Sequence, residues 1–360
     1  MTDALVPYEP AELVPPGETL IDWLNHNDMT QADFAKRTSL TPKHINQVVK
    51  GGVGISPEVA LAFERVTDIP ARYWLQLEVN YQSTKQRLTE TEDLKEHLNL
   101  VDLFPYKELE RRGAVRVVAS KVDRLRELLR FFGVADTEAL CEVSLQPTMF
   151  RVSNAFEASE AALATWLRLA EGEATQVRTK PFDASACREA LAEMRGLSML
   201  PGIEWLAPLR ELAASVGIAI VIVKELPKCR INGATRWLSP DKAMVALSLR
   251  HRRNDIFWFT LFHELCHILR HSKKETFVDA KTSDIARELE DDADAFASRT
   301  LIPPHEAARL SELTTASEVL TFAKRIGVAP GIVAGRMQHD ELIHPSHWPH
   351  LFDRYHFSDD

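Results

Sequence analysis

Residues 262–271 read FHELCHILRH. On a helix, His263 and His267 lie one turn apart on the same face, so both imidazoles reach a single ion. Glu264, next to the first of them, points toward the coordination position that the pair leaves open. There it is placed to take a proton from water and later hand it to a leaving amine. Zinc held in such a site lowers the pKa of bound water toward about 7 and polarises a scissile carbonyl. The set lacks only a third protein ligand. An acid-rich segment downstream, ELEDDADAF at 288–296, offers one. Glu290 is the first choice because Asp294 follows it by one turn. The glutamate would bind the ion, while the aspartate accepts the other N–H of a ligand histidine and fixes its tautomer. Asp292 and Glu288 are alternatives. Asp292 points about 200° away from Glu290 around a helix, so those two cannot share the role.

These residues need a scaffold, and the surrounding sequence outlines one. VGIAIVIVKEL, a β-branched run, predicts a buried strand. GATRWLSPDKAMVALSL predicts two strands joined by the turn Ser239–Pro240–Asp241–Lys242. This hairpin is either plain core or an edge that pairs with an extended peptide. The long apolar helix DIFWFTLFHELCHILRH follows, with Asp255 as its expected N-cap, and then the helix SDIARELEDDADAFASRTLI, which stops at Pro303-Pro304. Strands followed by helices predict a small α+β domain over 201–345. Cys266 lies among the chemical residues, where a thiol could sense oxidation; on so apolar a helix it reads better as a small core residue. Cys229 has no spacing argument for capping a metal. His251 and His271 are the histidines nearest in sequence that could stabilise an oxyanion. The C-terminal VLTFAKRIGVAPGIVAGRMQHDELI has a helix-turn-helix rhythm but no polar reading face, and is expected to be scaffold.

The other end of the chain carries a different chemistry. The formal net charge is -9, which argues against affinity for nucleic acid over the whole surface. Residues 1–82 hold 6 Lys/Arg and 11 Asp/Glu, yet from Lys36 to Lys50 there are 4 bases and no acid. That basic island coincides with TQADFAKRTSLTPKHINQVVKGG. Thr30 is a natural N-cap for a helix from Gln31 to Thr38, Ser39 and Leu40 make a tight turn, and Thr41 with Pro42 starts a second helix that ends at Gly51-Gly52. Phe34, Ala35, Leu40, Ile45 and Val48 can pack the two helices at a steep angle. In such a helix-turn-helix the second helix enters the major groove. Its outward residues are Lys43, His44, Asn46, Gln47 and Lys50, with Thr41 at its start. Asn and Gln can pair bidentately with adenine, and Lys can serve phosphate or guanine. Gln31 is placed for a phosphate. The alternative use of the segment is protein contact alone.

Composition bounds the rest. Apolar residues make up 45% and charged residues 26% of 360, ordinary for a globular protein of two or three domains. No apolar run approaches the roughly 20 residues that span a bilayer. The start, MTDALVPYEPAELVPPGE, is acidic and proline-rich, unlike a signal peptide. Four scattered cysteines without a CxxC pair fit a reducing compartment, so the expected location is cytoplasmic. Between the two chemical ends, TKQRLTETEDLKEHL, VDRLRELLRFFGV and EASEAALATWLRLAEGEA have helical periodicity and no chemistry; residues 83–200 are expected to be a helical connector or dimerisation region.

Two resemblances sharpen these expectations. VPPGETLIDWL, TQADFAKR and GISPEVALAFERVTDIPARYWLQLEVNYQ make residues 14–82 similar to Xre/Cro-type helix-turn-helix proteins, and more narrowly to HigA-type antitoxin repressors. FWFTLFHELCHILRH and ELEDDADAFASRTLIP resemble the ImmA/IrrE metallopeptidases, zincins with a glutamate as third ligand, over about residues 205–340. That family usually has Glu-Ala before the Asn or Asp of its second motif, where this chain has Asp292-Ala293-Asp294; the change leaves the ligand set intact if Glu290 is the ligand. The resemblance implies a peptidase that cleaves a repressor, often in a chain that also carries a helix-turn-helix. The expected architecture is therefore multidomain: an all-α helix-turn-helix domain, a helical middle and an α+β zincin-like domain. The expected function is a DNA-binding regulator with a zinc-dependent endopeptidase domain that cuts a partner or itself in response to a signal. The alternative is a HigA-like antitoxin whose zincin domain is a non-catalytic sensor. Expected partners are a double-stranded DNA operator, a repressor-like substrate or a toxin, and a second copy of the chain, because paired half-sites need two-fold protein symmetry.

Overall fold

The structure, a computed structural model, describes residues 13–144, 150–152, 160–271 and 284–357. Most of the acidic start (1–12), Glu157–Ser159 of the third middle-region pattern and Ser283 lie outside the described residues. The chain forms two compact units, divided after Leu98.

The first unit is built from α1 (Pro16–His26), α2 (Gln31–Thr38), α3 (Pro42–Val49), α4 (Pro57–Thr67) and α5 (Ala71–Glu96). Local signals start these helices. The Thr30 hydroxyl accepts from Asp33 N at 3.1 Å, Thr41 from His44 N at 3.1 Å and Ser56 from Val59 N at 3.3 Å, each satisfying an N–H the helix cannot. Proline occupies the first turn of α1, α3 and α4, where its missing N–H costs nothing. Ser39 takes the left-handed conformation (φ 58°) and turns α2 into α3 as expected. Phe34, Ala35, Ile45 and Val48 are buried between them, and Leu40 packs at the margin. Phe34, Phe63 and Trp74 meet edge-on with centroids 5.1 and 5.3 Å apart, tying α2 to α4 and α5. Gly17 lets α1 approach the end of α3, since a Cβ there would lie 2.2 Å from Val49 Cα. The boundary expected after residue 82 falls inside α5, which continues without interruption to Glu96.

The second unit is α+β. Its helices are α6 (Tyr106–Arg111), α7 (Lys121–Phe132), α8 (Thr137–Ser144), α9 (Glu160–Gln176), α10 (Ala184–Gly196), α11 (Leu206–Ser215), α12 (Asn254–Arg270), α13 (Asp284–Leu301), α14 (Pro304–Ala307), α15 (Ala316–Ile326) and α16 (Pro330–His339). Its strands, β1 (Phe150–Val152), β2 (Ile218–Ile222), β3 (Ile231–Ser239) and β4 (Lys242–Leu247), form one sheet in the order β1-β3-β4-β2. The expected turn joins β3 to β4, which pair antiparallel, while β2 runs parallel to β4 and β1 antiparallel to β3.

Strand periodicity sends alternate residues to opposite faces. Ile218, Ile220, Ala243, Val245 and Leu247 belong to the core shared with α12, whereas Ala219, Val221, Ala234, Met244 and Ala246 belong to the core shared with α9. Both faces are covered, which is why these strands read as unbroken apolar runs. Two helices of the expected connector therefore belong to the sheet domain. From α9, Trp166 fills one core and donates its indole N–H to Val223 O at 3.2 Å. On α10, Arg195 donates to Leu301 O and Ile326 O at 2.9 and 2.6 Å, answering carbonyls at the ends of α13 and α15. Amphipathicity marked the α9 segment as helical without saying what its apolar side would meet. Asp255 is not the N-cap of α12; the helix begins at Asn254, Arg253 occupies the cap position, and Asp255 accepts two bonds from Arg253 at 2.9 and 2.7 Å within the first turn. The C-terminal α15 and α16 supply core residues, as their lack of a polar face suggests.

Candidate functional site

The chemistry sits on α12, a helix pressed between the sheet and α13, with 13 of its 17 residues buried. Being enclosed, it is apolar nearly all round, and its polar residues are therefore exceptional. His263 and Glu264 are 0% exposed and His267 is 1% exposed. Buried polar groups of this kind must be answered by partners.

Three side chains converge. His263 Nε2 lies 3.1 Å from His267 Nε2 and 3.2 Å from Glu290 Oε2, and His267 Nε2 lies 3.5 Å from Glu290 Oε1. Ligands about 2.1 Å from a tetrahedral zinc would stand roughly 3.4 Å apart, so these residues fit a three-ligand site with the fourth position left to the reaction. Nitrogen, nitrogen and carboxylate oxygen are donors zinc accepts. One helical turn on α12 supplies the histidines, and α13 brings in the glutamate.

The electrostatics of these side chains suit the same reading. Burial opposes charge on His263, but hydrogen bonds donated by the ring to Asp294 and Glu290 overcome it and push the imidazole up to about 9. With Nδ1 turned to Asp294, Nε2 is the nitrogen that faces Glu290. Burial and the neighbouring His263 and His271 push His267 down to about 2, so that ring is neutral, as a ligand must be.

Asp294 Oδ1 lies 2.8 Å from His263 Nδ1. That bond commits the Nδ1 proton of His263 to the carboxylate and leaves Nε2 directed at the centre. The alternatives for a third ligand stand elsewhere: Glu288 is exposed, and Asp292 lies with Arg270 Nη1 (2.7 Å), Cys266 Sγ (3.6 Å) and His271 Nε2 (3.5 Å). The histidines named for an oxyanion fare differently. His271 lies behind the centre, its Nδ1 2.7 Å from His267 Nδ1, and His251 is exposed on the loop before α12. Cys266 is fully buried with its thiol pushed up to about 12, by burial first and then by Asp292, which makes it an inert core residue. Burial likewise takes Cys229 up to about 12, on the α9 side of the sheet.

Glu264 has a holder that sequence reading missed. The Thr235 hydroxyl on β3 donates to Glu264 Oε2 at 2.8 Å and also lies 3.2 Å from the Glu264 carbonyl. Gly233, two residues earlier on the same strand, brings the strand this close: a Cβ there would lie 2.6 Å from Thr260 Cγ2 and 2.9 Å from Glu264 Oε1. The only signal in the sequence was a glycine inside a strand pattern, which marks close approach.

In the first unit, Thr41, Lys43, Asn46, Gln47 and Lys50 are exposed along α3, while Gln31 and His44 are half-buried. His44 Nε2 is buried, so that ring turns inward rather than toward a groove. Lys36 and Arg37 of α2 are exposed beside this face.

Residues 232–338 match the IrrE N-terminal-like domain, and residues 20–74 match a helix-turn-helix family. The chain joins a helix-turn-helix domain to an IrrE-like domain. Among solved structures it is similar to an addiction module antidote protein of the HigA family from Coxiella burnetii, at 20% identity over 24% of this chain and 94% of that one, with a TM-score of 0.22. It is also similar to the antitoxin HigA of Pseudomonas aeruginosa with the higBA promoter, at 23% identity over 24% of this chain and 94% of that one, with a TM-score of 0.22. Comparison with curated proteins finds no match. The IrrE-like match takes in Gly233, Thr235, the paired histidines, Glu290 and Asp294; the helix-turn-helix match takes in all of α2, α3 and α4. Among the described residues no helix is long and apolar enough to cross a membrane.

Proposed function

We propose that this chain is a cytoplasmic transcription regulator whose helix-turn-helix binds a double-stranded DNA operator and whose IrrE-like domain is a zinc-dependent endopeptidase acting on a repressor-like partner or on the chain itself. The observation that carries the peptidase half is the convergence of His263, His267 and Glu290 within 3.5 Å beside a buried glutamate. His263, His267 and Glu290 would hold the zinc, which when bound supplies Lewis-acid polarisation of a carbonyl and a lowered pKa for water. Glu264 acts as general base and then general acid, taking a proton from water and passing it to the leaving amine. Thr235 fixes the orientation of the Glu264 carboxylate by donating to its Oε2. Asp294 holds the His263 tautomer.

For the DNA half, α3 would enter the major groove with Asn46 and Gln47 toward base edges and with Thr41, Lys43 and Lys50 toward bases or phosphates; Gln31 would touch a phosphate. Two copies would read paired half-sites. A second reading, a HigA-like antitoxin or repressor with a toxin partner, whose zincin-like domain is a non-catalytic ligand or protein sensor, is favoured by the complete burial of His263 and Glu264.

The deciding experiment is elemental analysis of the purified chain beside His267→Ala and Glu290→Ala. One zinc per chain, lost in both variants, supports the metal centre; no zinc after reloading sinks it. Glu264→Gln then separates the readings. Regulation in cells that survives this change untouched would assign the centre to sensing rather than cleavage.

A further inference from the structure

The two histidines of the centre are held in different ways. His263 meets a carboxylate directly, but His267 meets another imidazole. His267 Nδ1 and His271 Nδ1 stand 2.7 Å apart, and His271 Nε2 faces Asp292 Oδ2 across 3.5 Å. Asp292 is itself fixed: Arg270 donates to its Oδ1 at 2.7 Å and the Cys266 thiol to its Oδ2 at 3.6 Å. The His271 side chain is 5% exposed, so solvent does little to choose among its tautomers.

Proton counting determines how such a chain works. Two ring nitrogens at hydrogen-bond distance with no cation to share need one proton between them, because neither two donors nor two bare lone pairs can face each other. A neutral His267 that offers the Nε2 lone pair to a metal carries its proton on Nδ1. It must then donate to His271 Nδ1, which must be an acceptor. A neutral His271 accepting at Nδ1 carries its own proton on Nε2, the nitrogen that faces Asp292.

We infer that His271 and Asp292 form a relay that positions His267 as a metal ligand by fixing its tautomer. The inference rests on the zinc-site reading and deepens it. Asp292 prefers an N–H at His271 Nε2; that leaves a lone pair at His271 Nδ1; that in turn draws the His267 proton to Nδ1 and frees Nε2. Each ligand histidine thus has its own carboxylate from α13, Asp294 directly and Asp292 through one intervening ring. His271 and Asp292 are positioning residues and touch no substrate. The same count bears on a second grouping, since Cys266, His271 and Asp292 also lie close enough to hold an ion. Metal on His271 Nε2 would displace the proton the relay needs there, so the inference requires one ion per chain.

The test uses the full-length chain with zinc alone, its affinity read by competition with a chromophoric chelator. His267→Ala checks the underlying reading: if the wild type takes no zinc, or this variant binds as well, the metal centre itself fails. Given a centre, His271→Phe keeps a buried ring without an acceptor, whereas His271→Asn keeps an acceptor near the Nδ1 position. Loss of such an outer partner weakens metal affinity about 10- to 100-fold, and that is expected for His271→Phe, with His271→Asn within about threefold of wild type. Full affinity in His271→Phe would overturn the relay, as would a loss in His271→Asn alone, which would mark the ring as packing. If both variants weaken binding alike, proton–nitrogen correlation spectra of zinc-loaded, histidine-labelled wild type decide. A His271 proton on Nε2 supports the relay, and one on Nδ1 overturns it. Two zinc ions per wild-type chain, one lost in both Cys266→Ser and Asp292→Leu, would also overturn it.

Discussion

The Thr235 hydroxyl donates to Glu264 Oε2 at 2.8 Å, joining the middle of β3 to the residue proposed as general base on α12. Both side chains are fully buried, so no water replaces this donor if it is lost. A hydrogen bond to a charged group contributes about 1.5–3 kcal/mol, and a buried acceptor left unanswered costs at least as much. Thr235→Val, nearly isosteric, is therefore expected to destabilise the second unit by about that amount. Its zinc content should stay at the wild-type level, because none of the three ligands touches Thr235. Denaturant melts and elemental analysis on the same samples check this. Loss of zinc with unchanged stability would show that Thr235 serves the metal ligands instead.

Gly233→Ala probes the same contact from the backbone side. The new Cβ would meet Thr260 Cγ2 at 2.6 Å and Glu264 Oε1 at 2.9 Å, closer than such atoms pack. The strand cannot retreat, because Gly233 is paired with Leu247 in the middle of the sheet. Overpacking of this kind costs about 1–3 kcal/mol, and the expected result is a lower melting temperature together with weakened cleavage. Unchanged stability would mean that β3 has room to move away from α12.

Most of the candidate triad's convergence was legible because a helix converts spacing into direction: a spacing of four positions puts the histidines on one face, and Glu290 with Asp294 repeats that logic on α13. The caps of α2 and α3 were legible for a similar reason, since Thr30 and Thr41 act within three residues of themselves. What escaped depends on distance along the chain. Thr235 holds Glu264 only because Gly233 lets a strand press on a helix some thirty residues later, and no local pattern encodes that meeting. Asp292 was an acid among acids; Arg270, Cys266 and His271 on the facing helix give it a role. The same holds for α9, whose periodicity announced a helix but not the sheet it covers. Asp255 shows a local preference losing to a local rival, as Arg253 pairs with its carboxylate inside the helix.

Zinc binding should release a proton. In the ion-free protein the His263 imidazole stands at about 9, raised above its ordinary 6.5, so below that value it carries a proton on the nitrogen the ion needs. His267, down at about 2, is already neutral and contributes none. Affinity should therefore fall about tenfold for each unit of pH lost between roughly pH 8 and pH 6, the slope of a single proton. Calorimetry in buffers of different ionisation enthalpy measures this directly. Zero protons released at neutral pH would show that His263 is neutral before the ion arrives.

The α3 face yields a prediction that separates positioning from reading. Lys50 is exposed at the end of the helix, where it suits a phosphate, whereas Gln47 is exposed one turn along from Lys43, where it suits a base edge. With an operator selected from a random duplex pool, Lys50→Ala should weaken binding to all sequences alike. It should also reduce the slope of log K against log salt by about 1, the share of one neutralised phosphate. Gln47→Ala should leave that slope unchanged, cost about 1–3 kcal/mol on the selected operator and relax preference at one base position. Electrophoretic or anisotropy titrations at several salt concentrations read both quantities. If the wild type shows no salt dependence and the pool yields no preferred duplex, the first unit is a protein-docking module, and the basic island from Lys36 to Lys50 must face an acidic protein partner instead.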